Sequence, residues 1–553
     1  MPLNSYDCDV LVVGAGPTGL IAANLLKRSG VNVRIVEKRL QASRESRAFA
    51  IQARTLELMQ SIGLSDIFAR EGVLATGIDI HIRGRRRGGL NLDLANANDT
   101  PFQHILMIAQ SETENILIDD LAAQGIDVER GVEVQSISQN DDCITAVTSD
   151  GDIRAQYVLG ADGSRSVVRK SSNIDFIGDQ YPQSFLLADC KVDWGLDHQR
   201  FRVFINGGRI ALFLPLDGET LSRVMITDSI DREGDGSATK SLDLDLSVIE
   251  SAYREVCGIP LKLSDPVWVT KYKSHHRAAD HYRKGRVFLA GDAAHIHSPA
   301  GGQGMNTGLQ DAANLAWKLA ENILRNAPDE LLETYHDERK PIGELVVKST
   351  GKLFSATAGQ TGLMASLRDY AAMMLLPIIS RIPKFHQKAF FNISERNVAY
   401  DQSRFVSEGP VWPKRGPRAG MRAPNVAINA DVEMFDLIKG YGFKLIALSI
   451  EHLTTDEVQN IQTDLERFSS QNPHIGTHLI ARADRGWHEG AINPARPDIY
   501  NAYGVDGKDT SSAFYLIRPD NYIAYRCEGF DFKKLNEFLS EFNPLLSATD
   551  ASA

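Results

Sequence analysis

The run Gly14-Ala15-Gly16-Pro17-Thr18-Gly19 has the glycine spacing of a loop that binds a dinucleotide. Gly14 permits a tight turn, Gly16 lets a pyrophosphate approach the backbone, and Gly19 lets a following helix pack closely on the strand. Pro17 and Thr18 belong to the same loop and count among its expected contacts. The helix that the loop opens brings partial positive charge toward the phosphates. Glu37 closes the next strand and can accept hydrogen bonds from ribose hydroxyls. This motif alone cannot separate NAD from FAD, because both carry the same adenosine diphosphate half.

A second constellation decides between them. Gly291-Asp292 is followed by the glycine-rich turn Ser298 to Gly308 and then by a long helical pattern. Asp292 offers a carboxylate to ribitol hydroxyls. The backbone N–H groups of Gly304, Met305 and Asn306, reached through Gly302, suit a pyrimidine carbonyl that gains negative charge on reduction. Both needs are those of FAD laid across one domain. A third strand end, Tyr157 to Gly163, places Asp162 and Gly163 in the same style.

Elements that position these residues follow from apolar periodicity. Asp9 to Val13, a helix to Arg28 and Val31 to Glu37 read as a strand, helix, strand unit. Residues 181–270 alternate apolar and polar in short runs and suit a mostly antiparallel sheet that covers substrate, with a contribution from 77–105. Leu309 to Arg325 and Asp329 to about Ile393 read as helices, and the apolar run Tyr370 to Ile379, stopped by Pro377 and Arg381, reads as a core helix. Four prolines and three glycines within 409–424 mark a domain boundary. The expected class is α/β: a Rossmann-like FAD-binding domain (1–180 and 271–408), an inserted sheet (181–270) and a small C-terminal α/β domain (409–553). The arginine run Arg83 to Arg87 reads as a solvated hairpin end.

With 60 basic and 71 acidic residues the net charge is −11, so the average surface field repels a nucleic-acid backbone. Five cysteines without a C-x-x-C pair fit neither a disulfide framework nor a zinc cluster. No metal site is expected, and reduced thiols point to a cytoplasmic location. The first apolar stretch ends in glycine as a buried strand does, so no signal peptide is expected. The longest apolar run is about half of the ~20 residues that cross a bilayer, so no membrane insertion is expected.

These three fingerprints, in this order, resemble the single-component FAD-dependent aromatic hydroxylases of the para-hydroxybenzoate and phenol hydroxylase type, over nearly the whole chain. The resemblance implies that Arg47 contacts ribose and pyrophosphate, Gln110 the ribitol, and Asp162 both the FAD and a passing nicotinamide. It places the Pro299 carbonyl close to substrate and leaves Arg277, His295 and His297 as candidates near the reacting ring. It makes 409–553 a thioredoxin-like domain, here without thiol redox activity because it lacks a cysteine pair. The implied reaction consumes NAD(P)H and dioxygen and hydroxylates an aromatic ring through a flavin C4a-hydroperoxide. The basic run Lys38, Arg39, Arg44 and Arg47 leans toward NADPH over NADH, and a homodimer is expected from the family. Phe49 stands where phenol hydroxylase relatives carry an aspartate, which leaves the general base unassigned and points to a larger or more apolar aromatic substrate. Two readings compete: Baeyer–Villiger or epoxidising use of the same flavin chemistry, and a flavin-bound scaffold that does not turn over.

Overall fold

The computed structural model describes residues 6–42, 48–217, 220–228, 245–297, 302–358, 362–483, 491–494 and 497–541. Its organising element is a sheet whose central strands are parallel and run in the order Val287–Leu289, Gly151–Gly160, Cys8–Val13, Val33–Glu37. Parallel strands buried on both faces need continuous apolar sequence, and Val10 to Val13 with Tyr157 to Leu159 supply it. Register carries the functional consequence. Val13 lies opposite Gly160 and Val36, and Gly160 lies opposite Leu289. Four strands therefore end on one line, which sets Gly14, Asp162, Gly291 and Glu37 side by side along the carboxyl edge, where open α/β sheets bind ligands.

A second, eight-stranded sheet is mostly antiparallel and is built from Phe176–Trp194, Leu221–Asp228, Arg209–Pro215, Phe201–Asn206 and Leu261–Ala279, extended by the hairpin Gly77–Ile82 and Arg85–Asn91. The strands Phe176–Trp194 and Leu261–Ala279 pair with each other and carry the chain out of and back into the nucleotide unit, so the expected limits at 181 and 271 fall inside strands. Side chains alternate as a two-residue period requires. Leu186, Ala188 and Cys190 pack against the helix Leu246–Cys257, while Phe185 and Leu187 face a small three-stranded sheet formed by Ala50–Ile51, Ile105–Met107 and Val73–Ala75.

The glycine-rich run opens the helix Gly304–Arg325, five residues ahead of the expected start at Leu309. The helices Asp329–Ala358, Gly362–Ile379 and Pro383–Ile393 follow. Here one expectation is corrected. The segment Tyr370 to Ile379 is not a core helix: Tyr370, Met374, Leu375 and Ile378 are each more than half exposed. Pro377 does not stop it either. So close to the C-terminus, proline forfeits one backbone bond and the last turn survives.

The C-terminal unit centres on Phe443–Leu453, which pairs in parallel with Ile475–Ala483 and antiparallel with Ser512–Ile517, an α/β arrangement of the thioredoxin-like kind. Its helix Thr455–Gln471 starts at a reciprocal cap between Thr454 and Glu457. It docks through buried charges. Arg518 donates to both oxygens of Glu338 at 2.9 Å and holds Asp520 at 2.6 Å, while Lys318 reaches the same Glu338 at 2.9 Å. All four side chains are buried.

Candidate active site

Gly14 adopts φ +103°, and a Cβ there would lie 2.5 Å from the Ala161 carbonyl oxygen. A Cβ on Gly19 would lie 1.9 Å from the Gly14 carbonyl oxygen. Both positions are glycine because backbone already fills the space. Gly16 differs: nothing stands within 4 Å of where its Cβ would be, which leaves the cradle a pyrophosphate needs. Pro17 begins the helix Pro17–Arg28. Thr18 turns inward, since added Cβ atoms at Gly291 and Gly308 would meet its Oγ1 at 2.6 and 2.5 Å. It acts as the wedge that seats the first fingerprint on the third. Glu37 accepts from the Ala15 and Arg39 N–H groups at 2.9 and 3.0 Å, which fixes the loop and orients its carboxylate at the strand end. Lys38 is exposed beside it.

Asp162 caps the short helix Val167–Ser171, its Oδ2 accepting from the Val167 and Val168 N–H groups at 2.7 and 3.2 Å. Its Oδ1 is shielded from water and has no partner. Burial holds this carboxyl above its ordinary range against the opposing hydrogen bonds of Ser166 and the helix N–H groups. An orphaned acceptor beside Gly163, whose own Cβ position is open, fits a hydroxyl-bearing ligand. Arg169 braces the spot: it donates to the carbonyl oxygens of Ala293 and Ser164 at 2.7 and 2.9 Å and stacks on Phe176. Sequence reading passed over Arg169. Its place in the first turn of the helix that follows Asp162-Gly163 is the available signal.

Around the third fingerprint, Asp292 is exposed on a short 3-10 turn, facing outward as a ribitol ligand must. Asp311 organises what lies beneath. Its Oδ2 accepts from the Gly291 N–H at 3.1 Å and lies 2.7 Å from His295 Nε2, and its Oδ1 accepts from Arg339 Nε at 2.7 Å. Burial would raise the Asp311 carboxyl, but Arg339 and His295 together hold it below its ordinary range. His295 is thus buried and stacked on Tyr282, its Nε2 held by Asp311 and its Nδ1 buried without a hydrogen-bond partner. Arg47 and Pro299 lie outside the described residues. Gln110 begins the helix Gln110–Ala123, donates to Glu114 at 2.8 Å and accepts from the Ala48 N–H at 3.3 Å.

Asn306 joins the cofactor side to the substrate side. Its side chain accepts from the Gln52 N–H at 2.8 Å and donates to the Ala50 and Gly302 carbonyl oxygens at 2.9 Å each. The N–H groups of Gly304, Met305 and Asn306 open the helix and have no partner within it by geometry, and Met305 packs its side chain on the main core. A Cβ on Gly302, at φ +61°, would touch the Phe49 ring at 3.3 Å. Phe49 is buried between this turn and Phe201, ring centroids 6.5 Å apart. The wall beyond is apolar, with Phe185, Leu187, Ile210, Leu214 and Met225. One ion pair interrupts it: Arg223 holds Asp189 bidentately at 2.7 Å and donates to the Ala48 carbonyl oxygen at 3.3 Å. Arg277 lies opposite Ile296 and Gly178 in its sheet, and its guanidinium meets no carboxylate among the described residues.

Taken together, two helix N-termini, an open glycine cradle, an orphaned carboxylate oxygen and an outward aspartate on one sheet edge fit an FAD. Residues 7–350 match the family described as an FAD binding domain. The chain is 31% identical over 536 residues to pentachlorophenol 4-monooxygenase of Sphingobium chlorophenolicum, covering 95% of each chain. It is 35% identical over 382 residues to 6-methylpretetramide 4-monooxygenase of Streptomyces rimosus, covering 68% of this chain and 66% of that one. Among solved structures it superposes on a ternary complex of aklavinone-11 hydroxylase with FAD and aklavinone with TM-score 0.75 and 25% identity, over 98% of this chain and 100% of the other.

Proposed function

The chain belongs to the single-component FAD-dependent aromatic hydroxylases, and on that footing we propose that it hydroxylates a fused-ring phenol, with NADPH as reductant and dioxygen as oxygen source. It is a flavoprotein monooxygenase. When bound, FAD supplies the two-electron redox and oxygen-activating chemistry. One oxygen atom enters the ring as hydroxyl, the other leaves as water, and NADPH provides the balancing electrons.

The chain's own residues hold, orient and dry the reacting groups. Gly16 and the first helix end seat the pyrophosphate, while Glu37 and Asp292 take the ribose and ribitol hydroxyls. The N–H groups of Gly304 to Asn306 would receive the end of the flavin that gains charge. Asn306, by tying that helix to Ala50 and Gln52, keeps the flavin cradle and the Phe49 wall in fixed relation. Arg277, a cation with no acid partner among the described residues, would favour the phenolate form of substrate, which raises ring electron density. The apolar wall keeps water from the reacting centre.

The observation that carries the fused-ring reading is Phe49. It is buried against Gly302 and Phe201, at a position where the resemblance to phenol hydroxylases implies a carboxylate, so the wall would offer apolar contact instead of a base. Relatives named for pentachlorophenol and for 6-methylpretetramide bracket the range of sizes. Turnover of a graded series of phenols under labelled dioxygen tests this. Fused-ring phenols are expected to give products with one labelled oxygen and tight coupling to NADPH. Preference for single-ring phenols, or a labelled lactone, contradicts it.

A further inference from the structure

The helix Gly362–Ile379 presents an outer apolar face to which no contact is recorded among the described residues. Its exposed positions, Met364, Leu367, Met374, Leu375 and Ile378, fall on one side at helical spacing and form a stripe. Met374 is 75% and Ile378 62% exposed, and Ile382 continues the stripe past the helix end. Such a row runs to roughly 25 Å at the helical rise.

The inner face explains why the stripe stays outside. The helix is seated on the hairpin of the substrate sheet: a Cβ on Gly88 would lie 2.3 Å from Ser380 Oγ, and the Gly89 N–H donates to that hydroxyl at 3.0 Å. Arg83 lies over the Tyr370 ring at 4.6 Å. The arginine run is therefore a hairpin end as expected, but its first member is part of this seat.

Charge selects the occupant. From 362 to 394 the only acidic residue is Asp369. It is buried and paired with Arg368 at 2.6 Å and Arg83 at 3.8 Å. Arg381, Lys384 and Lys388 are exposed at the C-terminal end of the stripe. A chain of net charge −11 thus carries an apolar strip whose own segment supplies exposed cations at one end and, apart from the buried Asp369, no acid. An anionic lipid surface meets both features: acyl chains for the stripe and headgroup charge for the cations. Among the described residues no helix is long and apolar enough to cross a membrane, so the helix would lie in the interface plane.

We propose that this face docks the protein peripherally on anionic bilayers, with the substrate sheet held at the lipid surface. The inference does not depend on which aromatic compound is the substrate. The test is flotation of the full-length FAD-loaded protein with vesicles of phosphatidylcholine alone or of equal parts phosphatidylcholine and phosphatidylglycerol. The protein should rise with the mixed vesicles, about tenfold less with the neutral ones, and should be released by salt. Met374→Glu with Ile378→Glu should abolish flotation, and Arg381→Glu with Lys384→Glu should weaken it on mixed vesicles, both with flavin content unchanged. Absence of flotation, equal flotation on neutral vesicles, or a sedimenting dimer that Met374→Glu dissociates would each overturn the proposal, the last by assigning the face to a second copy.

Discussion

At the scale of single residues, glycines in this protein do two different things, and substitution separates them. Gly14 and Gly19 are packed against backbone, so any side chain there strains the fold. Gly16 borders open space and has φ −80°, which any residue adopts. Gly16→Val is therefore expected to fold with nearly the Tm of the flavin-stripped parent yet retain less than about a tenth of the flavin, because two methyl groups fill the pyrophosphate seat. Gly14→Val should lose both. Absorbance of the purified variants together with thermal melts reads the contrast.

Elements hold these residues through a small number of buried polar ties. Asn306 has three, and Asn306→Ala leaves the buried Gln52 N–H without an acceptor. A loss of roughly 2–4 kcal/mol is expected from the hydrogen-bond terms, together with weaker FAD binding, measured by denaturant unfolding and fluorescence titration. Glu395 shows the opposite case. It follows the helix Pro383–Ile393 at φ +60°, its Oε2 bonded to Gln310 and its Oε1 buried without a partner. Burial pushes its pKa up from 4.5 to about 8. The folded chain therefore holds a proton that the unfolded chain has released, and stability falls as pH rises between those values, by on the order of 5 kcal/mol in all. Glu395→Gln should match the parent near pH 4.5 and exceed it increasingly toward pH 8 in urea midpoints.

Much of this element layout is legible in the sequence, and the reason is local. Strand ends marked by glycine and an acid, at Gly14, Asp162 and Gly291, are set by short-range turn chemistry, and so is the capped helix after Thr454. Residues whose role depends on distant partners are not legible. Asp311 and Arg339 look like ordinary helix polar residues until the fold brings them beneath Gly291. His295 likewise gives no sign in the sequence of its tie to Asp311. The helix Gly362–Ile379 misleads in the other direction, because an apolar run records only hydrophobicity, not whether a neighbour covers it.

On the scale of the whole molecule, the C-terminal unit is joined to the flavin unit by a buried charge cluster. Arg518, Asp520, Glu338 and Lys318 share it. Burial opposes the ionised forms, yet Arg518 and Lys318 hold the Glu338 carboxyl well below its ordinary range. Burial pulls Lys318 down to about 8. Arg518→Ala would leave Glu338 buried with only Lys318 as cation, at a cost of about 3–5 kcal/mol, and Arg518→Lys should not restore it because the bidentate geometry is lost. Loss of a single cooperative calorimetric transition in the alanine variant would show that the cluster couples the two units.

The whole account rests on a sheet edge built to hold one flavin. Calorimetric titration of flavin-stripped protein with FAD measures that directly: saturation at one FAD per chain, with uptake abolished in Gly16→Val and preserved in the charge-reversed Arg381→Glu, is the expected result. Protein that takes up no FAD, or a Gly16→Val variant that binds it as the parent does, would contradict the assignment.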